Sequence, residues 1–550
     1  MPAALGRIIF QNMCTLSWQI HDDRLTVVFN RDERFSRPDA HPPETETVDG
    51  VRVLAPRDPE GGGTWIAANE HGMVVCLMNN YRAGSLEEPD KVYQSRGLLV
   101  RSLSPLSDLH RLRKELGDID MHSYRPFHLV VFAGTFPPVE WQWNGRQLTE
   151  IVGAPPVLTS AGILPDYIAR RRTRLFHKAT DGFTRGISEE EQLALHRSRR
   201  PWPPIMSVAM RWRDRGTVSL TQVKVEPDEV TMRYQPGDPA TTRQPVATSR
   251  LARTGSPKPA REILPCEPYP GDPVDVIKIL GSKNADMQES MSGFSKKALR
   301  LIAREKVINN RLNRVPDLAC NYFPAVVLHH TGVRGHLRPA AGALPPPGAR
   351  PLFLANHPTG GLDGILVLQW LSTYYPDIRL IVNDLLWNLH HMRPFIIPVD
   401  VFGDSRKALK TMVEVFEGDA PLMVFPSGET ARKKNGVLTE APWQKNPVKM
   451  ALKYDRTVVP VRLDGYNSRL FYAVARTRSL LRIPLNLEMM FLSHEFIHPK
   501  WKDFGMTVGE PLSPEQVRSL GRTDEERAEA LRRICVQHGS STAAGNPASP

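Results

Sequence analysis

The sequence predicts a two-domain chain, α+β in its first half and α/β in its second, and three observations carry that expectation. At 550 residues the chain exceeds the size at which a single hydrophobic core stops growing. Pro-Gly-Asp-Pro at 236–239 opens a stretch through Ala260 rich in Thr, Pro, Ser and Arg, which reads as a linker. Beyond residue 350, apolar runs at Arg379–Val382, Pro394–Val401, Leu422–Phe425 and Thr457–Leu463 alternate with helix-like stretches at Gly364–Tyr375 and Ser405–Glu417. That is the pattern of an α/β sheet. The expected organisation is a domain over 13–235, a linker over 236–270, a second domain over 271–535 and a disordered tail over 536–550.

In the first half, Met13-Cys14-Thr15-Leu16 opens a strand-like run, and Leu25–Phe29 makes another that ends in Asn30-Arg31-Asp32-Glu33. Removing Met13 would expose a cysteine whose own α-amino group can serve as base to its thiol. Reference pKa values of roughly 8 for the amine and about 8.5 for the thiol suit proton transfer near neutrality. The structural alternative is that Cys14 is an ordinary buried strand residue. Further on stand Gly61-Gly62-Gly63-Thr64-Trp65, then Asn69–Asn80, then Ser95-Arg96-Gly97.

This series resembles the NRDE family, also called the transport-and-Golgi-organisation 2 family, over about residues 13–235. The resemblance implies an αββα sandwich of the N-terminal-nucleophile type. Asn69–Asn80 is also similar to the choloylglycine hydrolase pattern, which implies Cys14 as nucleophile, Arg31 and Asp32 as its positioning partners and Asn79 as oxyanion donor. Hydrolysis of this kind needs a free amine on Cys14, so residues 1–12 are expected to be absent or clipped in the native protein. The alternative is a non-catalytic module for lipid or haem handling, or a scaffold.

Between the halves, Val274–Asn313 reads as a helical region with Ile277, Leu280, Leu299, Leu301, Ile302 and Ile308 as apolar points, expected to pack on the second domain. Pro339–Pro351 then leads into Leu352–Ala355 and the turn Asn356-His357-Pro358-Thr359-Gly360-Gly361-Leu362-Asp363-Gly364. An imidazole can take a proton from a hydroxyl only when its tautomer and orientation are fixed, and a carboxylate on the other ring nitrogen does both. Adjacent glycines let the chain fold the pair together. A capping aspartate with a spectator histidine is the bland reading of this turn taken alone. Downstream, Leu422–Val424 runs into Phe425-Pro426-Ser427-Gly428-Glu429-Thr430-Ala431-Arg432-Lys433-Lys434, whose cations suit a phosphate-bearing ligand.

With the strand Thr457-Val458-Val459-Pro460-Val461, these blocks resemble the glycerolipid acyltransferase family. Two departures, five residues rather than four between His and Asp and an acid shifted two places in the loop, look like its haemolysin-like subgroup. The resemblance implies acyl transfer from acyl-CoA or acyl-carrier protein to a lyso-lipid hydroxyl, with His357 as base and Asp363 orienting it. Asn356, Gly360, Gly361, Phe425, Pro426, Ser427, Gly428, Glu429, Arg432 and Lys433 are expected at the substrate. No bound cofactor is expected, and no metal either, because His390 and His391, if helical, would point about 100° apart and no Cys or Glu is suitably spaced.

Five cysteines, odd in number and scattered, indicate no disulfide framework and suit a reducing compartment. The net charge is +12, with 71 Lys and Arg against 59 acids, which favours anionic surfaces. No nucleic-acid motif accompanies the charge, so the expected partner is an anionic membrane surface. No apolar run is long enough to span a bilayer. A cytoplasmic protein held peripherally on the inner face of the membrane is expected.

Overall fold

The computed structural model describes residues 13–21, 24–83, 91–133, 137–181, 186–254, 271, 274–281, 285–315, 320–339, 342, 344–399, 405–434, 437–480 and 487–537. The chain divides into two compact units, Met1–Ala260 with Ala340–Ala343 and Arg261–Pro339 with Leu344–Pro550. The expected leader over 1–12 and residues 538–550 of the expected tail lie outside the described residues.

The first unit is a sandwich of two antiparallel sheets. One sheet runs in the order Val157–Thr159, Thr15–His21, Arg24–Arg34, Arg215–Val225, Glu229–Pro236, Ala247–Ala252. Strands Leu148–Val152, Val139–Trp143, Phe127–Ala133, Met73–Asn79, Ile66–Asn69, Val51–Arg57 and His41–Val48 follow one another in the other. Alternate residues of a strand face opposite sides, so Leu16, Trp18, Val27 and Phe29 meet Leu54, Ile66, Val74, Cys76 and Phe132 in one buried cluster between the sheets. The other face of the first sheet packs under helices Pro165–Ala179 and Glu189–His196, where Phe176 joins Val157 and Val208. There His196 bonds Ser17 through Nε2 at 2.7 Å and Asn30 through Nδ1 at 3.0 Å. Asn30 thereby serves as the polar anchor of that layer, and burial pushes His196 down to about 3.

Residues 247–252, placed by the sequence in a linker, form an edge strand instead. The sequence Pro-Gly-Asp-Pro is a turn: Gly237 takes φ +79°, and Asp238 O accepts the N–H groups of Thr241 and Thr242. The chain returns antiparallel, with Tyr234 opposite Ala247. A polar, Pro-rich stretch and a solvent-facing edge strand have similar compositions, which is why composition alone misread it.

The second unit is a mixed sheet in the order Ile396–Val399, Arg379–Asn383, Leu422–Val424, Leu352–Ala355, Val458–Leu463, Asp503–Val508, Arg334–Arg338. Its pairs are parallel, except that Val458–Leu463 runs antiparallel to Asp503–Val508. Leu352–Ala355 is buried at all four positions, as a central parallel strand requires. The cluster of Leu352, Leu354, Phe416, Val424, Val448, Val458, Val517 and Leu531 ties the sheet to the helices on that face. Fully buried Arg456 holds the backbone beneath, donating to the carbonyls of Phe416, Ala420 and Val415.

The helical stretch before this sheet is four short helices, Val276–Gly281, Ala285–Ser290, Gly293–Ile302 and Glu305–Leu312. Ser292 caps the third through the Ser295 N–H, and Arg304 at φ +56° separates it from the fourth. Ile277 and Leu299 are buried, but Leu301, expected to pack, is 70% exposed. A second correction concerns the cysteines: Cys14, Cys76 and Cys535 are free thiols, whereas Cys320 is disulfide-bonded. Spacing in sequence carries no information on the Cα separation a bridge requires.

Candidate active site

The histidine and the aspartate stand on the connection between the central strand Leu352–Ala355 and the helix Gly361–Tyr374. Gly360 has φ 95° and ψ −124°, a conformation open only to glycine. Its turn brings Asp363, in the first turn of the helix, back over the loop. Asp363 Oδ2 accepts the N–H groups of Thr359 at 2.8 Å and Gly360 at 2.9 Å, and Oδ1 accepts the Thr359 hydroxyl at 2.6 Å. Satisfying free N–H groups at a helix start with a carboxylate is favourable on hydrogen-bonding and dipole grounds.

His357 Nδ1 lies 3.0 Å from the same Oδ2, but the ring is turned so that Nδ1 makes no aligned hydrogen bond among the described residues. Such bonds in unliganded sites are often misaligned and tighten with substrate. The imidazole stacks on Phe425, centroids 4.2 Å apart at 27°. With Nδ1 facing the buried carboxylate, Nε2 is the nitrogen left for a substrate proton.

The remaining expected site residues divide. Phe425 touches the His357 ring, and Gly428 at φ +69° closes a turn in which its N–H bonds Phe425 O. Arg432 and Lys433 extend over aromatic rings, Arg432 Cζ 5.2 Å from the Phe471 centroid and Lys433 Nζ 5.1 Å from that of Tyr472. Arg432 also donates to Thr430 O at 2.5 Å. Asn356, expected at the substrate, has both ends of its amide engaged by the main chain of Leu463, at 2.8 and 2.7 Å. It clamps the ends of two neighbouring strands. Ser427 is buried with its hydroxyl on Glu429 O at 3.0 Å, and Glu429 is exposed. Gly361 packs against Phe496, where a Cβ would come to 3.0 Å. His391 stacks on Phe323 at 5.0 Å and 7°, with Nε2 3.0 Å from Val315 O.

Sequence reasoning missed Glu440, whose Oε1 accepts the His357 N–H at 2.9 Å from 83 residues downstream. It also missed Tyr472, which receives the Asn467 N–H on its hydroxyl at 3.0 Å. No local spacing signals either, because each reaches the site only through the fold.

In the first unit the Cys14 Sγ is 3.5 Å from the Asp32 N–H. Strand alternation puts Cys14 and Arg31 on the face between the sheets, where Arg31 stacks on Trp65 at 4.5 Å and pairs with Asp58 at 3.3 Å. The Asp32 carboxylate faces the helix layer and accepts from Thr217 at 2.6 Å. Burial pushes it up to about 8 against the opposing pull of Arg172. Asn79 donates to the Tyr81 hydroxyl at 2.5 Å rather than standing free for an oxyanion. Met13 is buried beside Ala161, Ile168 and Met210, and its carbonyl accepts from fully buried Arg172 at 2.9 Å. The Cys14 N–H donates to Ser160 Oγ at 3.2 Å. Burial and the neighbouring Asp32 push the Cys14 thiol up to about 12.

Residues 278–545 match the family described as Acyltransferase, and residues 13–162 match that described as Transport and Golgi organisation 2. The chain is 31% identical over 270 residues to the lyso-glycine lipid O-acyltransferase of Bacteroides thetaiotaomicron, covering 48% of this chain and 96% of that protein. It is 32% identical over 263 residues to the lyso-glycine lipid O-acyltransferase of Phocaeicola vulgatus, covering 48% and 93%. Among solved structures, a conjugated bile acid hydrolase from Clostridium perfringens aligns with 43% of this chain and 92% of its own at 10% identity and a TM-score of 0.30. The family match and these relatives show an O-acyltransferase enzyme with a second unit ahead of it. The chain belongs to the acyltransferase family, fused behind a Transport and Golgi organisation 2 domain.

Proposed function

We propose that the second unit transfers a fatty acyl group from a thioester donor, acyl-CoA or acyl-carrier protein, to the hydroxyl of a lyso-lipid, with a lyso-glycine lipid as the acceptor class. The observation that carries this reading is the His357–Asp363 approach at 3.0 Å on a loop at the end of the central parallel strand. His357 Nε2 takes the proton of the acceptor hydroxyl, and the oxygen attacks the thioester carbonyl. The C–S bond breaks, and the departing thiolate takes the proton back from the imidazolium. Asp363 stabilises that imidazolium and fixes its tautomer. Arg432 and Lys433 hold the anionic part of donor or acceptor.

The activity of the two lyso-glycine lipid O-acyltransferases supports the acceptor class, and the excess of 71 basic over 59 acidic residues supports peripheral attachment to an anionic membrane. Among the described residues no helix is long and apolar enough to cross a membrane. The test is turnover by the purified protein with palmitoyl-CoA and acyl-carrier protein donors, each against a lyso-glycine lipid and a lysophosphatidate. Turnover on neither acceptor sinks the reading, and turnover on lysophosphatidate alone removes the acceptor class.

For the first unit, the second reading made from the sequence, a non-catalytic module, is favoured wherever Met13 precedes Cys14. An amide nitrogen bonded to Ser160 cannot act as base, and a thiol raised to about 12 is neutral at physiological pH. Hydrolysis requires a chain that begins at Cys14. Intact-mass analysis of the native protein, paired with amide hydrolysis by a chain cut to start at Cys14, separates the two readings.

A further inference from the structure

His357 is gripped on three sides by one stretch of chain, residues 425–440. Phe425 stacks on its ring at 4.2 Å, the Ala431 N–H donates to its carbonyl at 2.9 Å, and its own N–H donates to Glu440 Oε1 at 2.9 Å. Between these contacts the chain makes the hairpin Arg432–Lys434 with Val437–Thr439, and the Gln444 N–H returns to Pro426 O at 2.9 Å. The acid inside the loop, Glu429, points to solvent. Glu440 Oε2 is inaccessible to solvent and makes no aligned hydrogen bond among the described residues. Burial raises the carboxyl, opposed by the His357 N–H.

A carboxylate buried at such cost and aimed at the amide of the base is not needed for the sheet, whose strands pair without it. We propose that Glu440 is a positioning residue for acyl transfer: through the His357 N–H it locks the base to the Phe425–Ala431 loop, so that Nε2 stays directed at the acceptor hydroxyl while Asp363 orders Nδ1. The proposal rests on His357 being the base. It predicts a role for an oxygen acceptor at Oε1 rather than for the charge.

The experiment uses the full chain with palmitoyl-CoA and a lyso-glycine lipid, reading released CoA thiol. Glu440→Ala is expected to lower kcat by about ten- to a hundredfold with both KM values within about twofold, since loss of alignment costs rate rather than ground-state binding. Glu440→Gln keeps an amide oxygen for the His357 N–H and is expected within about threefold of the parent kcat, while Glu440→Asp, one methylene short, falls towards Ala. Parent kcat in Glu440→Ala or Glu440→Asp, or a Gln variant as slow as Ala, overturns the proposal. If the Ala variant does not fold, the Gln and Asp variants decide it. His357→Ala run alongside separates the two readings: a fully active His357→Ala removes the base and this proposal with it. An inactive His357→Ala beside a fully active Glu440→Ala removes the positioning alone.

Discussion

Asp363 Oδ2 stands 3.0 Å from His357 Nδ1 while accepting the N–H groups of Thr359 and Gly360, so one carboxylate faces the imidazole and fixes the turn that carries it. His357→Ala is expected to lower acyl transfer about a hundred- to ten-thousandfold, the usual range for a general base. Asp363→Asn can keep the turn, because its amide oxygen still accepts the two N–H groups and its NH2 can donate to Thr359, yet it no longer stabilises an imidazolium. Its kcat should fall with little change in melting temperature. Parent turnover in either purified variant would contradict the assignment.

Gly360 makes that geometry possible. A side chain there is strained at φ +95° and brings Cβ to 3.0 Å from Thr430 Cγ2. Gly360→Ala should destabilise the second unit by about 1–3 kcal/mol and reduce kcat as Asp363 moves off His357. Gly364, whose Cβ would meet nothing within 4 Å, is the control: Gly364→Ala should melt at or above the parent temperature. Equal melting of the Gly360 variant and the parent would show that the turn tolerates a side chain.

Lys433 is exposed with its ammonium over Tyr472, and Arg432 leans on Phe471. Contacts made before the transition state alter KM more than kcat. Lys433→Ala and Arg432→Ala should therefore raise the apparent KM for one substrate several-fold with a smaller loss of kcat. Arg432→Ala also removes the donor to Thr430 O, so some loss of stability is expected there and none at Lys433. Steady-state kinetics unchanged in both variants would exclude the headgroup role.

In the first unit, Asp32 is pushed up to about 8 and His196 down to about 3, burial being the main cause of each. A carboxyl raised in the folded state keeps a proton that the unfolded chain has released. Its contribution is fully present below the unfolded value near 4 and is lost as pH rises towards 8. His196 works the other way, losing stability as pH falls below about 6.5. Of these two groups Asp32 acts between pH 6.5 and 8, at up to about 1.4 kcal/mol per pH unit. The melting of this unit should fall across that window, and Asp32→Asn should flatten it. A parent melting temperature that rises from pH 6.5 to 8 would contradict the buried neutral carboxyl.

By itself the sequence determined what short-range chemistry encodes. The alternation of apolar runs and helical stretches after residue 350 placed five strands of the second unit's sheet, while Arg334–Arg338 and Asp503–Val508 carried no such run. The Asn-His…Asp turn placed His357 beside Asp363, since both sit within seven residues of one loop and the helix start brings them together. The Asn30–Glu33 block marked the right strand, but not that its side chains divide between two faces, leaving Arg31 on Trp65 and Asp32 on Thr217. Tertiary structure alone decided the rest. Glu440 meets His357 across 83 residues, and Arg172 reaches Met13 O across 159. Asn356 turned out to be held by Leu463, 107 residues away, and the supposed linker by its register with Tyr234. A buried polar group must find a partner, but which partner depends on the crossing of strands that are distant in the chain, and local composition carries no record of that crossing.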